Sequence, residues 1–383
     1  MNDQGTKQAE ICGSNEKKQI TDAVPASGKS KMPALWLLIT GAAVGVAALV
    51  LTLLGNPANM GFCGACFLRD IAGALGLHSA TLVQYVRPEV LGVILGAFIL
   101  AVVRREYRPK GGSAPATRFV LGMAMMLGAL IFLGCPVRML LRIGGGDLNA
   151  IVGLFGLVAG VAAATFFIRK GFSLRRNHDK SKSEGKVLPI IALGLLGLLV
   201  LAPAVLLFSV EGPGSMRAPI IWALVAGLVV GGLGFVSRLC FTGCIRDSIL
   251  LKKVPVMLWA LVMLLAVVMI GNLALGTFNI GFADQPVAHA DGLWNFLGMS
   301  LVGFSGTLLA GCPFRQMVLA GSGNSDSVMT VLGMLFGAAL IHNLNLASSP
   351  AGIGDNAVIG FAVMTAAVLG IAVYNTFFSR AQN

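Results

Sequence analysis

A chain of 383 residues that is 56% hydrophobic and only 11% charged, with 50 glycines and a mean hydropathy of +0.84, has too little charge to cover a water-exposed surface. It reads as an all-α polytopic membrane protein packed through small residues. The net charge of +12 sits in short loops beside apolar spans, which points to orientation in a bilayer and away from nucleic acid as a partner.

Residues 1–32 are polar, without an apolar period, and read as a disordered cytoplasmic tail in which Cys12 is incidental. The stretch 33–54 is longer than a signal-peptide core and lies behind that tail, so a retained helix is expected there. A crossing needs about 20 apolar residues. Ten are expected, near 33–54, 88–103, 119–134, 148–168, 187–209, 218–236, 254–278, 292–311, 327–342 and 356–378. Segments 57–77 and 237–251 are too short or too interrupted by Arg and Asp to cross, and are expected to be re-entrant and to face a pathway. The loops 104–118 and 169–186 are strongly basic and should be cytoplasmic, whereas 211–217, 278–291 and 343–355 carry almost no excess positive charge. Both termini then lie inside. The chain divides into the tail 1–32, a transmembrane repeat at 33–168, a basic loop with a linking helix at 169–217, a second repeat at 218–345, and a C-terminal helix and tail at 346–383.

The two repeats carry one pattern twice, 177 residues apart without a gap. Cys63, Arg69-Asp70 and Gly134-Cys135-Pro136-x-Arg138 match Cys240, Arg246-Asp247 and Gly311-Cys312-Pro313-x-Arg315. Gly144 and Gly146 match Gly321 and Gly323. Four crossings per repeat and one linking span bring the second repeat in from the opposite face, so the repeats are inverted, a plan that puts a substrate site near the midplane.

Proline breaks a helix interior but suits the first position of a new helix, so Pro136 and Pro313 should place Cys135 and Cys312 at N-caps. Free N–H groups and the dipole there favour an anion. Arg138 and Arg315 add fixed positive charge, costly at membrane depth unless paired or met by a ligand. The bland alternative is a kinked helix with a buried cysteine and a snorkelling arginine. Ion pairing is preferred over a proton relay for Arg69, Asp70, Arg246 and Asp247. Cys66 and Cys244 fall out of register and rank below Cys63 and Cys240. A metal site on the four cysteines of the C-x2-C and C-x3-C pairs is disfavoured, because the threading sends the pairs toward opposite faces. His78, His178, His289 and His342 read as loop or helix-end residues.

The run Arg238-x-Cys240-Phe241-x4-Arg246-Asp247, followed by Gly-Cys, resembles the YeeE/YedE (sulphur transport) family of bacterial inner-membrane proteins, over about 33–345. The resemblance implies inverted halves with short re-entrant helices and uptake of thiosulfate or a related sulfur species along cysteine thiols. Cys135, Cys312 and Cys240 match the family's cysteines, with Cys63 the first-half counterpart of Cys240. Where many members follow Gly-Cys with x-Ser-Gly, this chain has Pro-Val-Arg and Pro-Phe-Arg. With the added thiols Cys66 and Cys244 and two extra arginines, the chain looks more similar to the family's selenium-associated branch. The expected function is inner-membrane uptake of a small sulfur or selenium anion, a selenium species first and thiosulfate next, without enzymatic activity, cofactor or metal. A cytoplasmic sulfur- or selenium-carrier protein is a candidate partner beside the lipid bilayer. The rival is a membrane thiol–disulfide enzyme cycling Cys63/Cys66 and Cys240/Cys244.

Overall fold

The computed structural model describes residues 34–175 and 177–378; the tail 1–32, with Cys12, lies outside them. The first half holds α1 (Ala34–Leu53), α2 (Gly64–Ala74), α3 (Pro88–Val103), α4 (Pro115–Phe132), α5 (Pro136–Gly144) and α6 (Leu148–Arg169). A short α7 (Lys182–Gly185) and the linking α8 (Val187–Leu201) follow. The second half holds α9 (Ile220–Ser237), α10 (Phe241–Leu251), α11 (Met257–Ala274), α12 (Gly292–Leu308), α13 (Pro313–Gly321) and α14 (Ser325–Asn343), closed by α15 (Ala357–Val373). Among the described residues nine helical segments are long and apolar enough to cross a membrane, and the 15-residue α8 is a further apolar helix. This is an all-α polytopic membrane protein.

The span expected at 187–209 is shorter than read. Helix α8 stops at Leu201, and a 3-10 turn at Pro203–Val205 follows, because proline cannot donate to the ladder and crowds the preceding turn. The two basic loops meet in a two-residue antiparallel pairing of β1 (Lys110–Gly111) with β2 (His178–Asp179), which puts both on one face of the bundle.

Packing reveals the symmetry. Helices of each half pack on helices of the other, and they do so in mated pairs. Gly156 and Gly160 of α6 lie against the carbonyls of Phe296 and Ser300 on α12, while Gly333 and Gly337 of α14 lie against the Phe119 carbonyl and Met123 on α4. Each contact recurs 177 residues on, with the two halves exchanged. Likewise Gly41 and Gly45 of α1 meet the Ala260 and Leu264 carbonyls of α11, as Gly227 and Gly231 of α9 meet those of Glu89 and Val93 on α3. These four pairs run parallel. The mates α4 and α12, by contrast, run antiparallel, since Met125 faces Gly306 while Ile131 faces Gly298. A repeat whose counterpart helix runs the other way is inverted.

Asn324 bridges to Lys110, and its mate Asp147 bridges to Gly281, six residues short of the mate of Lys110. The same exchange relates Gly146 (φ +98°) and Gly323 (φ +101°), which turn the chain out of α5 and α13 where an L side chain would be strained.

These close crossings are a stability requirement. A methyl added at Gly160 would sit 2.0 Å from the Ser300 carbonyl oxygen, and one at Gly333 2.2 Å from that of Phe119. Gly160→Val and Gly333→Val are each expected to cost about 1–3 kcal/mol through overpacking. Melting in detergent reads this, with Gly194→Ala as the silent control, since nothing lies within 4 Å of a methyl there.

Candidate functional site

Each of the four short helices α2, α5, α10 and α13 begins on a cysteine. Cys63, Cys135, Cys240 and Cys312 are their N-caps, all in extended backbone, and Pro136 and Pro313 occupy the first turn of α5 and α13. The chain reaches α5 and α13 through a break after α4 and α12, where Leu133 (φ 59°) and Ala310 (φ 57°), again 177 apart, adopt the left-handed conformation. That geometry is uncommon for residues other than glycine and stops each long helix before the proline restarts a short one. Sequence reasoning expected all four cysteines at helix ends, but only the starts at Cys135 and Cys312 are marked by a proline.

The thiols sort into two kinds. Cys63 accepts from the Cys66 amide (3.4 Å) and Cys240 from the Gly243 amide (3.3 Å), so each caps its own helix. Cys135 turns to a neighbour. Its thiol lies 3.8 Å from that of Cys63 and accepts from the Gly64 amide at 3.3 Å, so the amide end of α2 is shared by two sulfurs. In the second half Cys312 adjoins Cys240, with the Phe241 amide toward the Cys312 sulfur. Each half thus pairs two thiols over exposed helix amides.

The pairs are joined through a packed waist. Gly64, at the start of α2, faces Met317 and the Phe314 amide at the start of α13, and the Phe62 and Phe314 rings meet edge to face with centroids 6.2 Å apart. Helices α5 and α10 adjoin in turn, so four amide ends converge on one region at the interface of the repeats. Phe62, Phe314 and Met317 are buried there.

Positive charge is concentrated around this region without matching negative charge. Arg138 donates to the Asn59 and Val287 carbonyls (3.2 and 3.0 Å), to the Leu133 carbonyl, and to the Cys66 thiol at 3.5 Å. Arg315 donates to the Gly234 carbonyl at 3.2 Å. Among the described residues neither forms a salt bridge, whereas the nearby Arg142 is neutralised by Asp147 at 2.6 Å and stacks on Phe132. Sequence reasoning missed Arg142. Its place four residues after Arg138 on one short helix was the available signal.

The Arg-Asp pairs differ between the halves. Asp70 is fully buried and takes Arg69 on one oxygen (2.7 Å) and Arg87 on the other (2.8 Å). Arg87, which sequence reasoning did not single out, also donates to the Pro213 and Met216 carbonyls, tying α2 to the segment before α9. The mate pair Arg246–Asp247 is partly exposed, with an Asp side chain 31% accessible and no third arginine. Cys244 is buried in α10, and its carbonyl accepts from Ser248.

Among the described residues no three His, Cys, Asp or Glu side chains cluster as metal ligands. His78 stacks on His342, with centroids 4.6 Å apart. His289 donates to the Ile131 carbonyl near the end of α4 (2.8 Å) and accepts from the Asp291 amide (3.3 Å), a committed neutral ring whose pKa burial pushes down.

No match is found among curated proteins. Residues 236–378, from the end of α9 through the C-terminal helix, match the family model described as Sulphur transport. The likeness expected over 33–345 is thus found over 236–378, most of the second repeat and the C-terminal helix. The chain is a multi-pass membrane protein whose second half is similar to the Sulphur transport family.

Proposed function

We propose that the protein is a bacterial inner-membrane transporter or channel-like uptake protein for a small sulfur- or selenium-containing anion, with both termini cytoplasmic. The observation that carries this reading is the convergence of four cysteine-capped helix starts beside two arginines that lack carboxylate partners among the described residues. Helix amides and guanidinium groups select negative charge. Polarizable thiols prefer a sulfur or selenium atom to the hard oxygens of phosphate. The anion meets Cys135 and Cys63 first, then Cys240 and Cys312, before release on the face of the basic loops. Selenium species come first, thiosulfate next, and a cytoplasmic sulfur- or selenium-carrier protein receives the cargo.

The redox-enzyme alternative needs Cys63 to cycle with Cys66 and Cys240 with Cys244. Cys63 adjoins both Cys135 and Cys66, whereas in the second half the sulfur beside Cys240 is that of Cys312 and not of Cys244, which favours transport.

The test is uptake of labelled thiosulfate, selenite and selenide into liposomes holding the purified protein. Saturable uptake of at least one, with phosphate excluded, is expected; no uptake of any of the three overturns the proposal. Arg315→Gln should lower uptake about tenfold, the loss of one charge-assisted contact, and Arg315→Lys should recover part of it.

A further inference from the structure

Among the described residues, buried carboxylates have arginines, with one exception. Asp70 has Arg69 and Arg87, Asp147 has Arg142, and Asp326 has Arg118 at 3.6 Å together with Ser113. Glu89, in the first turn of α3, is 1% exposed and has no salt bridge among the described residues. One of its oxygens accepts from the Asn56 side-chain amide at 2.7 Å, and the other, Oε2, has no partner. Its backbone is packed under Gly227 of α9, so no neighbouring side chain can swing in from that helix.

Opposing influences act on this carboxyl. Burial and the nearby Asp70 favour the neutral acid, whereas the amide end of α3 and the Arg87 guanidinium favour the carboxylate. Arg87 is already committed to Asp70 and to the Pro213 and Met216 carbonyls. The other ionisable groups nearby are Tyr85, Arg69 on α2, Arg217 over the Tyr85 ring, and Arg315 on α13; α8 and α9 present none along their lengths.

Two links connect Glu89 to its surroundings. The amide nitrogen of Asn56 also donates to the Gly61 carbonyl (3.1 Å), two residues before Cys63, so one side chain links the carboxyl to the backbone that leads into the thiol pair. On the other side the Asn56 oxygen accepts from the Ala218 amide (2.8 Å), and Ala218 lines a crevice of about 510 Å³ with Tyr85 and Arg217. Neither link has a counterpart in the second half, where the residue 177 positions after Glu89 is Ala266.

We infer that Glu89 is a proton-binding site that couples anion uptake to proton uptake, one proton with each anion. An anion arriving beside Cys63 and Cys135 adds negative charge in a low-dielectric setting and favours the protonated carboxyl. By reciprocity, a proton on Glu89 favours the anion. In an alternating-access cycle the proton loads with the anion from one face and leaves with it when the site opens to the other. This inference rests on the transport reading.

The experiment uses proteoliposomes and labelled thiosulfate, selenite or selenide, with the membrane potential clamped at zero and an inward gradient of about one pH unit. The unaltered protein should accumulate anion up to about tenfold over the outside concentration, the limit for one proton. Glu89→Gln should still equilibrate the anion downhill but reach a ratio of about one, and Glu89→Asp should restore accumulation. Accumulation by Glu89→Gln equal to that of the unaltered protein, or indifference of the unaltered protein to the gradient while downhill uptake proceeds, overturns the coupling alone. Absence of downhill uptake of all three anions overturns the transport reading itself. A second readout needs no transport: the infrared carbonyl band of a buried protonated carboxyl should titrate with pH, shift in Glu89→Asp and vanish in Glu89→Gln. A purified protein without that band refutes the inference.

Discussion

Cys135→Ala and Cys312→Ala should each lower anion uptake about a hundredfold, while Cys66→Ala and Cys244→Ala stay within about threefold of the unaltered protein. The difference follows from what each sulfur touches. Cys135 stands over the amide start of α2 and beside the Cys63 sulfur, so its removal deletes a soft contact where two helix ends meet. Contacts involving a charged ligand contribute roughly 1.5–3 kcal/mol, which corresponds to about ten- to a hundredfold in rate or affinity. Cys66 contacts Arg138, which keeps its carbonyl partners when the thiol is gone. Initial rates of labelled uptake, normalised to protein inserted, measure the series. Unimpaired uptake in both Cys135→Ala and Cys312→Ala sinks the relay; loss confined to Cys66→Ala or Cys244→Ala favours the thiol–disulfide enzyme.

Asp70→Asn should be among the most destabilising single changes, at about 3–5 kcal/mol, the usual cost of removing one partner of a buried ion pair. Two arginines lose their counter-charge at once, and both are buried. Asp247→Asn tests the mate position, where partial exposure lets water and salt screen Arg246, and the expected cost is about 0–1 kcal/mol. Unfolding in detergent, followed by helix signal against denaturant, separates the two. Equal losses at the two positions would mean that the extra arginine and the burial around Asp70 contribute nothing. A double change, Asp70→Asn with Arg87→Met, should recover part of the loss by removing one of the stranded charges.

Much of this architecture was legible because membrane helices obey few rules. Apolar length located a helix within each expected span, and the prolines after Gly134-Cys135 and Gly311-Cys312 located two short helices that hydropathy would have merged into their neighbours. Loop charge, with the ungapped duplication, implied inversion before any contact was known. What stayed hidden depended on contact between distant segments. Nothing in the local sequence announces that Cys63 sits beside Cys135, that Arg87 reaches Asp70, or that Glu89 is left without an arginine. The glycines were visible as composition, but which helix each admits is a property of the pairing. Likewise the Cys63 and Cys240 caps lack proline or a polar capping residue, so a cysteine there reads equally well as buried filler.

The exchanged packing of the two halves also constrains how the protein is made. In its stable arrangement α1 lies on α11, α3 on α9, α4 on α14 and α6 on α12, so each early helix takes a partner from the second half. A ribosome delivers the N-terminal helices first, and their glycine grooves must wait in lipid, unfilled, until the matching segments are inserted. Domain-by-domain folding during synthesis, the usual course for long chains, is therefore closed to this protein. Truncation after the first repeat should leave an inserted but unassembled bundle, a substrate for membrane quality control, and co-expression of the missing half as a separate chain is the natural way to rescue it.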